Sequence, residues 1–484
     1  MNHIGEVGRA ATGAAPAIGD EPLVLVPHFV KGRVVLGADI RHRSRDLGTD
    51  FATPALDLDG MVWQRATPGP AFDLPVEQVI EFLVRVGEQL TLDKNALLRE
   101  ALEGMVQVSE LGRRILENCY NDICHMFTRE VMLAEVRESL GSLDVIDGWK
   151  ARDLHGRKNR IRAFPPRLVH ILAGNSPMVA AMTIVRAALS KGVHLLKLPS
   201  NDLFTATAIL RTMAAVDPDH PVTRSFSAAY WKGGDAEVES ILYRAQYFDK
   251  IVVWGGESAV RHAMSYVGPG FEMIAFDPKV SISMVGREAF ATGATLREAA
   301  ARAAADALSF NQDACNASRF QFVEGDTEQC DRYSALLAEA MGVDVRYGAG
   351  QYQPTPADIR DEVDMLRMLE PVYAVFGGYE GRGLVVRSDE PVGFHPNVKT
   401  VNVVQVTNLA DALRYVTVAT QTVGVWPPSR KRELRDALAS AGVQRIVSLG
   451  EANAPGSFGG MPHDATIPLH RFMKWITEEG DETP

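Results

Sequence analysis

Cys315 is the residue of this chain best placed to act as a nucleophile. It lies in the polar run Ser309 to Asn316, SFNQDACN, which separates two different patterns. Leu296 to Leu308 is rich in Ala and Arg without Gly or Pro, which predicts a helix, and Arg319 to Val323 alternates as a strand does. Cys315 is therefore expected in a loop between regular elements, where reactive groups are common. A lone free cysteine is more often a small buried apolar residue.

The other cysteines offer no competing chemistry. Four cysteines (Cys119, Cys124, Cys315 and Cys330) are too few in 484 residues for a disulfide scaffold. Cys119, Cys124 and His125 could suggest a metal site, but no second Cys or His pair lies at suitable spacing. Cys119 and Cys124 also fall in a helical pattern, so we predict that they are structural and that no metal is bound.

Composition and charge describe an acidic globular protein. The 50 basic and 61 acidic residues give a net charge of -11, which argues against nucleic-acid or anionic-membrane partners. The length predicts two or three domains. The most apolar run, Met178 to Val185, is too short to span a bilayer. Residues 1–20 lack the apolar core of a secretion signal, so we expect a flexible tail and a cytoplasmic protein.

Strands alternate with helices through the middle of the chain, which predicts a doubly wound parallel sheet. The four strands are expected at Leu168–Ala173, Val193–Leu198, Ser225–Tyr230 and Asp249–Trp254. In such sheets ligands bind beyond the carboxyl ends of the strands. Those ends carry Gly174 to Pro177, Lys197 to Ser200, Trp231 to Gly234 and Trp254 to Glu257. Each is an acceptable turn alone, but together they favour a nucleotide site, although no Gly-x-Gly-x-x-Gly run is present.

The rest of the chain predicts packing elements and a second domain. Glu21 to Asp39 favours strands or hairpins, Val76 to Leu140 favours helices, and Trp149 to Pro166 favours a projecting polar hairpin or a solvated surface loop. Beyond Glu272, further strands are expected at Val372–Phe376, Gly383–Val386 and Val398–Val406, with a helix over Leu409–Ala419.

The nucleophile loop resembles that of the aldehyde dehydrogenase superfamily, in which a Phe-Asn-Gln-x-x-Cys run precedes a strand that carries an Arg. Here these are Phe310 to Cys315 and Arg319. Over Arg167 to Trp475 the chain resembles more closely the LuxC-type acyl-CoA reductases of luminescent bacteria and their non-luminous relatives. The resemblance implies an aldehyde dehydrogenase-like α/β fold: a doubly wound parallel-sheet cofactor domain, an α/β catalytic domain and a small oligomerisation arm that pairs subunits into a homo-oligomer.

This likeness implies a division of the chain. We expect a tail at 1–20, an NAD(P)-binding domain at 21–150 and 168–272, and a catalytic domain at 273–440. Residues 151–167 and 441–484 would form the arm and a closing segment. In the closing segment, we expect two runs to pack on the active site or the subunit interface: Phe458 to Asp464 and Leu469 to Trp475. Its Pro462-His463-Asp464-Ala465 run resembles a Pro-His-Asp-Gly run of the family, with Ala in place of Gly.

The resemblance also implies two catalytic residues. Cys315 would attack the carbonyl as a thiolate, and Asn175, with the backbone N–H of Cys315, would donate to the oxyanion that forms. Asn175 could instead cap the helix that follows it.

Cofactor contacts follow from the same likeness. Lys197 holds the position of a lysine that contacts the adenosine ribose, or it could simply extend along a strand end. Ser200 replaces an acidic residue common in NAD-selective members, which favours NADPH (NADP+) while leaving NADH open. His395 stands where a glutamate holds the nicotinamide ribose. The glycine-rich rim would complete the site with Gly233, Gly234, Trp254, Gly255 and Gly256.

One departure from the superfamily decides the predicted reaction. Hydrolytic members carry Glu-Leu-Gly-Gly-Lys where this chain has Ala275 to Lys279. Ala275 then replaces the glutamate that activates water, which removes about 10²–10⁴-fold of rate; a register shifted by three would place Glu272 there instead. An acyl-enzyme spared from water can accept hydride.

We therefore predict NADPH-dependent reduction of a fatty acyl thioester, delivered by CoA or acyl-carrier protein, to the aldehyde. An acyl-activating partner enzyme is implied only by the resemblance. The alternatives are an NAD(P)-dependent aldehyde dehydrogenase that makes acids, and a non-catalytic scaffold of the same fold.

Overall fold

The computed structural model describes residues 23–348, 353–454 and 459–480. The tail expected at 1–20 and Phe458 of the closing segment lie outside these residues. The elements before the polar hairpin are β1 (Val24–Leu25), β2 (His28–Val30), β3 (Arg33–Val35), β4 (Ile40–Arg43), β5 (Asp50–Thr53), α1 (Leu58–Met61), α2 (Val76–Gly87), α3 (Ala96–Val108), α4 (Arg113–Asp122), α5 (Arg129–Leu140) and α6 (Asp144–Asp147).

The helices of this region form because their apolar residues recur at three- and four-residue spacing and share one face. In α2, for example, Val79, Ile80, Leu83 and Val86 are all buried. Helices α2 to α5 pack on the helices Pro177–Leu189 and Thr205–Val216 and share one apolar core with them.

The next elements build the first large sheet and the hairpin. They are β6 (Lys150–Leu154), β7 (Arg157–Phe164), β8 (Arg167–Ile171), α7 (Pro177–Leu189), β9 (Val193–Lys197), α8 (Thr205–Val216), β10 (Phe226–Ala229), α9 (Ala236–Leu242), β11 (Lys250–Trp254), α10 (Glu257–Met264) and β12 (Glu272–Phe276). The sheet order is β12-β11-β8-β9-β10-β2-β3, in which β8 to β12 are parallel and the β2–β3 hairpin is antiparallel.

This order confirms the predicted doubly wound sheet. The chain runs from β8 outward to β10 on one side and then from β11 to β12 on the other. The direction reverses between β8 and β11, and a crevice opens at the carboxyl ends of strands at such a point. The residues after β8 and β11, including Asn175 and Gly255, border that crevice.

The remaining elements build a second seven-stranded sheet and the carboxyl-terminal segment. They are β13 (Val280–Val285), α11 (Gly293–Ala307), β14 (Ser318–Glu324), α12 (Thr327–Met341), α13 (Ala357–Arg367), β15 (Ala374–Gly378), β16 (Gly383–Ser388), β17 (Thr400–Val406), β18 (Thr420–Trp426), α14 (Lys431–Ala441), β19 (Arg445–Ser448), α15 (Pro468–Phe472) and β20 (Lys474–Glu479). The order is β15-β16-β17-β14-β13-β18-β19, parallel except for the edge strand β15.

The structure differs from the expectation for Leu409–Ala419, where only a 3₁₀ helix, Leu409–Tyr415, is present. The β-branched residues Val416 and Thr417 follow it, and such residues disfavour helical continuation because their χ1 rotation is restricted. The predicted polar hairpin is present as β6 and β7, and β20 joins it in a three-stranded antiparallel sheet. Within the described ranges, no helix combines the length and apolar character that a membrane span requires.

Candidate active site

The nucleophile loop adopts a backbone conformation that its sequence does not favour. Phe310, Asn311 and Gln312 have φ of 48°, 52° and 71°, in the left-handed region that costs non-glycine residues about 1–2 kcal/mol each. Tertiary contacts offset this cost. The Gln312 side chain donates to the carbonyl of Thr400 (2.8 Å) and accepts from its N–H (3.2 Å), and the Phe310 N–H donates to the carbonyl of Tyr347 (2.6 Å). The loop is therefore held in place by β17 and by the segment that follows α12.

Arg319, the arginine of the following strand, ties this loop to a second one. Its buried guanidinium donates to the carbonyl of Pro396 (2.6 Å), to Oδ1 of Asn397 (2.9 Å) and to the carbonyl of Gln312. Burial lowers its pKa to about 10, so it stays charged at neutral pH. Burial and the nearby Arg319 also lower the pKa of His395, which keeps that imidazole neutral beside the nucleophile loop.

The sulfur of Cys315 is partly buried and faces several donors. Its own backbone N–H, that of Asn316 and the Gln421 side-chain amide all favour the thiolate, although burial dominates and raises the pKa of the thiol. The backbone at Cys315 is fixed, because the Ser281 hydroxyl donates to its carbonyl at 2.7 Å. Donors of this kind favour the thiolate, which is the form of a cysteine that attacks a carbonyl.

Asn175 reaches the nucleophile loop from the other sheet. Its Nδ2 donates to the carbonyl of Asp313, two residues before Cys315, at 3.0 Å. The second N–H of this amide has no partner among the described residues, and Oδ1 is buried without one. The cap of α7 is Ser176, whose hydroxyl accepts from the N–H of Met178. The alternative role of Asn175 as the helix cap is therefore wrong.

Lys197 lies at the carboxyl end of β9 with an ammonium that has no hydrogen-bond partner among the described residues. It sits over the rings of Tyr230 (5.9 Å) and Trp231 (5.5 Å), and burial lowers its pKa to about 8. The half-buried Ser200 follows on the same strand end. The nearby carboxylate of Glu239 offsets part of the effect of burial on this pKa.

The glycines of the rim leave space at the same edge. A Cβ added to Gly233 would meet only Nζ of Lys197, at 3.9 Å, and one added to Gly256 would meet nothing within 4 Å. Gly234 has φ of +86°, which only glycine adopts readily. The carboxylate of Glu239 accepts from the Gly234 N–H (3.3 Å) and braces this turn.

Trp254 ends β11 and is followed by Gly255. Its ring stacks on Phe276 at 3.7 Å, and His463 packs edge-on against it at 5.2 Å. The indole N–H is buried without a hydrogen-bond partner. An ammonium without a hydrogen bond in the described part of the chain, an unpaired indole donor and glycine turns along one sheet edge fit a dinucleotide cofactor.

The structure places the two candidates for the hydrolytic glutamate at opposite ends of β12. Ala275 is near the carboxyl end, level with Val253 of β11. Glu272 begins the strand and pairs with Lys250 (3.0 Å) and Arg471 (3.7 Å) at the far edge of the sheet. The shifted register that would make Glu272 the general base is therefore wrong.

Asp464 is a residue near the sulfur that the sequence analysis missed. Its carboxylate accepts from Nε2 of Gln421 at 2.9 Å and lies close enough to Cys315 to raise the pKa of that thiol further. Asp464 belongs to the Pro462 to Ala465 run, so a signal existed, but neither it nor Gln421 received a role. Among the described residues, no group of three or more His, Cys, Asp or Glu is placed to hold a metal.

The chain has two large sheets, and the loop that carries Cys315 faces the carboxyl ends of the strands of the first sheet. This arrangement defines the aldehyde dehydrogenase fold. A Delta-pyrroline-5-carboxylate dehydrogenase from Mycobacterium tuberculosis has a TM-score of 0.67 at 16% identity, over 99% of this chain and 97% of its own. An NADP-dependent glyceraldehyde-3-phosphate dehydrogenase from Bacillus halodurans C-125, complexed with NADP, has a TM-score of 0.67 at 12% identity, over 95% and 99%. These similarities confirm the predicted fold.

The sequence profile described as acyl-CoA reductase (LuxC) matches residues 71–475, and the chain therefore belongs to that family. A long-chain acyl-protein thioester reductase of Photorhabdus laumondii is 29% identical over 424 residues, covering 84% of this chain and 82% of the relative. Membership of this family confirms the predicted resemblance and makes the protein an oxidoreductase.

Proposed function

We propose that the protein reduces a long-chain fatty acyl thioester to the aldehyde with NADPH, through an acyl group carried on Cys315. The observation that carries this proposal is the meeting of two elements from different sheets. The Asn175 amide reaches the loop of Cys315 and keeps one N–H unpaired. A nucleophile and an oxyanion donor in this arrangement serve acyl transfer.

The reaction begins with the thiolate of Cys315. It attacks the thioester carbonyl, and the oxyanion accepts from Asn175 and from the backbone N–H of Cys315. Collapse expels the carrier thiolate and leaves the acyl group on Cys315. NADPH, when bound, supplies the hydride that brings this acyl group to the aldehyde level. The sulfur then leaves as the thiolate, and the aldehyde is released.

The cofactor would lie along the carboxyl edge of the first sheet. Lys197 and Ser200 would hold the adenosine ribose, and Gly233, Gly234, Gly255 and Gly256 would let the nucleotide approach the backbone. Trp254 would offer its unpaired indole N–H, and His395 would contact the nicotinamide ribose. The absence of an acidic side chain at Ser200 favours NADPH, since no negative charge there repels a 2′-phosphate.

The substrate and the assembly follow from the relatives. The name of the Photorhabdus laumondii relative supports delivery of the acyl group on a protein, and the family description supports delivery on CoA. An acyl-activating enzyme would then be the partner. The sheet of β6, β7 and β20 would pair subunits of a homo-oligomer. The four free cysteines support a reducing, cytoplasmic location.

The experiment is NADPH oxidation with a ladder of acyl-CoA chain lengths, and with an acylated carrier protein, for the wild type and Cys315→Ala. We expect aldehyde from the wild type, a preference for long chains and for NADPH over NADH, and no turnover by the variant. Turnover by Cys315→Ala, or release of acid from aldehyde and NADP+ without any thiol acceptor, would contradict the proposal.

A further inference from the structure

Gln421 is held rigidly at the amino end of β18, next to the nucleophile. The residue is 6% exposed. On one side of it, the N–H of Thr422 donates to the Ser281 hydroxyl (3.1 Å), which in turn donates to the carbonyl of Cys315. On the other, the carbonyl of Gln421 accepts from the N–H of Gln444 (3.2 Å). The backbones that carry Gln421 and Cys315 are therefore linked through one hydroxyl.

The orientation of the Gln421 amide is set mainly by Asp464, with a weak contribution from the Thr422 hydroxyl, which donates to Oε1 at 3.5 Å. An ionised carboxylate only accepts hydrogen bonds, so the group that faces Oδ1 of Asp464 at 2.9 Å is the NH₂ of the amide. That NH₂ has two hydrogens, and the Gln421 side chain also lies close enough to the Cys315 sulfur to favour its thiolate. One nitrogen thus lies between an aspartate and the nucleophile.

Asp464 occupies this position because of a tight turn. Asp464 and Ala465 have φ of 49° and 56°, and His463 and Thr466 exchange backbone hydrogen bonds of 2.8 and 3.1 Å. The turn places the carboxylate, whose side chain is 8% exposed, against Gln421. Burial raises the pKa of Asp464, while the nearby Lys279 lowers it and Asp277 raises it. His463 lies 3.8 Å from the carboxylate, and burial lowers the pKa of that imidazole to about 3.

By itself, the negative charge of Asp464 raises the pKa of the Cys315 thiol and so disfavours the thiolate. A carboxylate at this position is therefore explained only by a second effect that favours the thiolate. Without a fixed acceptor, the Gln421 amide could turn its oxygen toward the sulfur, which would repel a thiolate. With Asp464 in place, the nitrogen is the end that faces Cys315. A hydrogen bond to a charged group contributes more than one between neutral groups.

We propose that Gln421 donates a hydrogen bond to the Cys315 thiolate during the reaction, and that Asp464 is a positioning residue that keeps the amide nitrogen toward the sulfur. This inference rests on the proposed role of Cys315 as the nucleophile. It adds a donor from the second sheet to the donors already assigned, and it gives the Pro462 to Ala465 run a function in the chemistry.

The test is the pH dependence of Cys315 alkylation by iodoacetamide, followed by mass spectrometry of the labelled peptide so that Cys124 does not interfere. In Gln421→Met, which has no donor, the midpoint of the profile should rise by about one pH unit. Gln421→Glu, which keeps the size and adds a charge, should raise it more. Gln444→Met is the control, since its amide donates to the carbonyl of Val418, and it should leave the midpoint unchanged.

A double-mutant cycle isolates the role of Asp464. In the Gln421→Met background, Asp464→Asn removes only a nearby negative charge and should lower the midpoint. With Gln421 present, the same change also replaces a carboxylate that only accepts by an amide that can present either its oxygen or its nitrogen. The Gln421 amide is then no longer held in one orientation, so the midpoint should fall less or rise. Equal shifts in the two backgrounds, or no shift in either Gln421 variant, would overturn this inference. Activity retained by Cys315→Ala would instead overturn the proposed function on which it rests.

Discussion

Replacing Asn175 by Ala separates a role in catalysis from a role in folding. The side chain makes one hydrogen bond to protein, from Nδ2 to the carbonyl of Asp313, whose loss costs about 1 kcal/mol of unfolding free energy. If Asn175 is an oxyanion donor, its removal should lower kcat by about 10²–10³-fold, equivalent to about 3–4 kcal/mol of transition-state stabilisation. The expected loss in catalysis therefore clearly exceeds the expected loss in stability.

The neighbouring residue supplies a matched control. Ser176→Ala removes the cap of α7 and should also cost about 1 kcal/mol of stability, with kcat nearly unchanged. Urea unfolding and kcat, measured with saturating acyl-CoA and NADPH, give both quantities for each variant. A decrease in kcat of less than threefold for Asn175→Ala, or an equal decrease for Ser176→Ala, would refute the oxyanion assignment.

Three further predictions concern the water-activating position, the cofactor and the closing segment. Ala275→Glu restores the glutamate of hydrolytic relatives and should speed release of free fatty acid from acyl-CoA without NADPH, by up to about 10²–10⁴-fold; an unchanged rate would argue against this register. Lys197 has a pKa of about 8 and loses its charge as the pH rises through that value, so NADPH affinity should weaken above pH 8. Fluorescence titration should show this step in the wild type and not in Lys197→Met, and a step in both would contradict the contact. Ala465→Gly relieves a left-handed alanine while adding freedom to the unfolded chain, so the unfolding free energy in urea should stay equal or rise by up to about 1 kcal/mol. A clear fall would contradict the turn.

The sequence predicts the first sheet well because its signals are local. Each strand from β8 to β11 is a short apolar run followed by a helical segment, and the order of a doubly wound sheet follows from general rules of chain connection. Asn175 and Lys197 lie where the sequence places them, at carboxyl ends of strands in this sheet, and Cys315 lies in the expected loop between α11 and β14. Their chemical roles stay predictions until variants are measured.

The parts that sequence reasoning missed depend on distant contacts. Left-handed Phe310 to Gln312 cannot be foreseen from residue types, since their conformation is stabilised by Tyr347 and Thr400. Gln421 belongs to no motif and meets Cys315 only because β18 pairs with β13 beside the nucleophile loop. Local patterns do not specify which polar residue a sheet brings to a sulfur.

The measurement that tests the central claim most directly is the fate of the acyl group when no cofactor is present. The protein would be incubated with a long-chain acyl-CoA, and the masses of the intact chain and of its proteolytic peptides would be measured by mass spectrometry. We predict one acyl group per chain, on Cys315, that persists in water over many turnover times and is discharged as aldehyde when NADPH is added. An unmodified chain, an acyl group on another residue, or free fatty acid released at the rate of turnover would contradict the account.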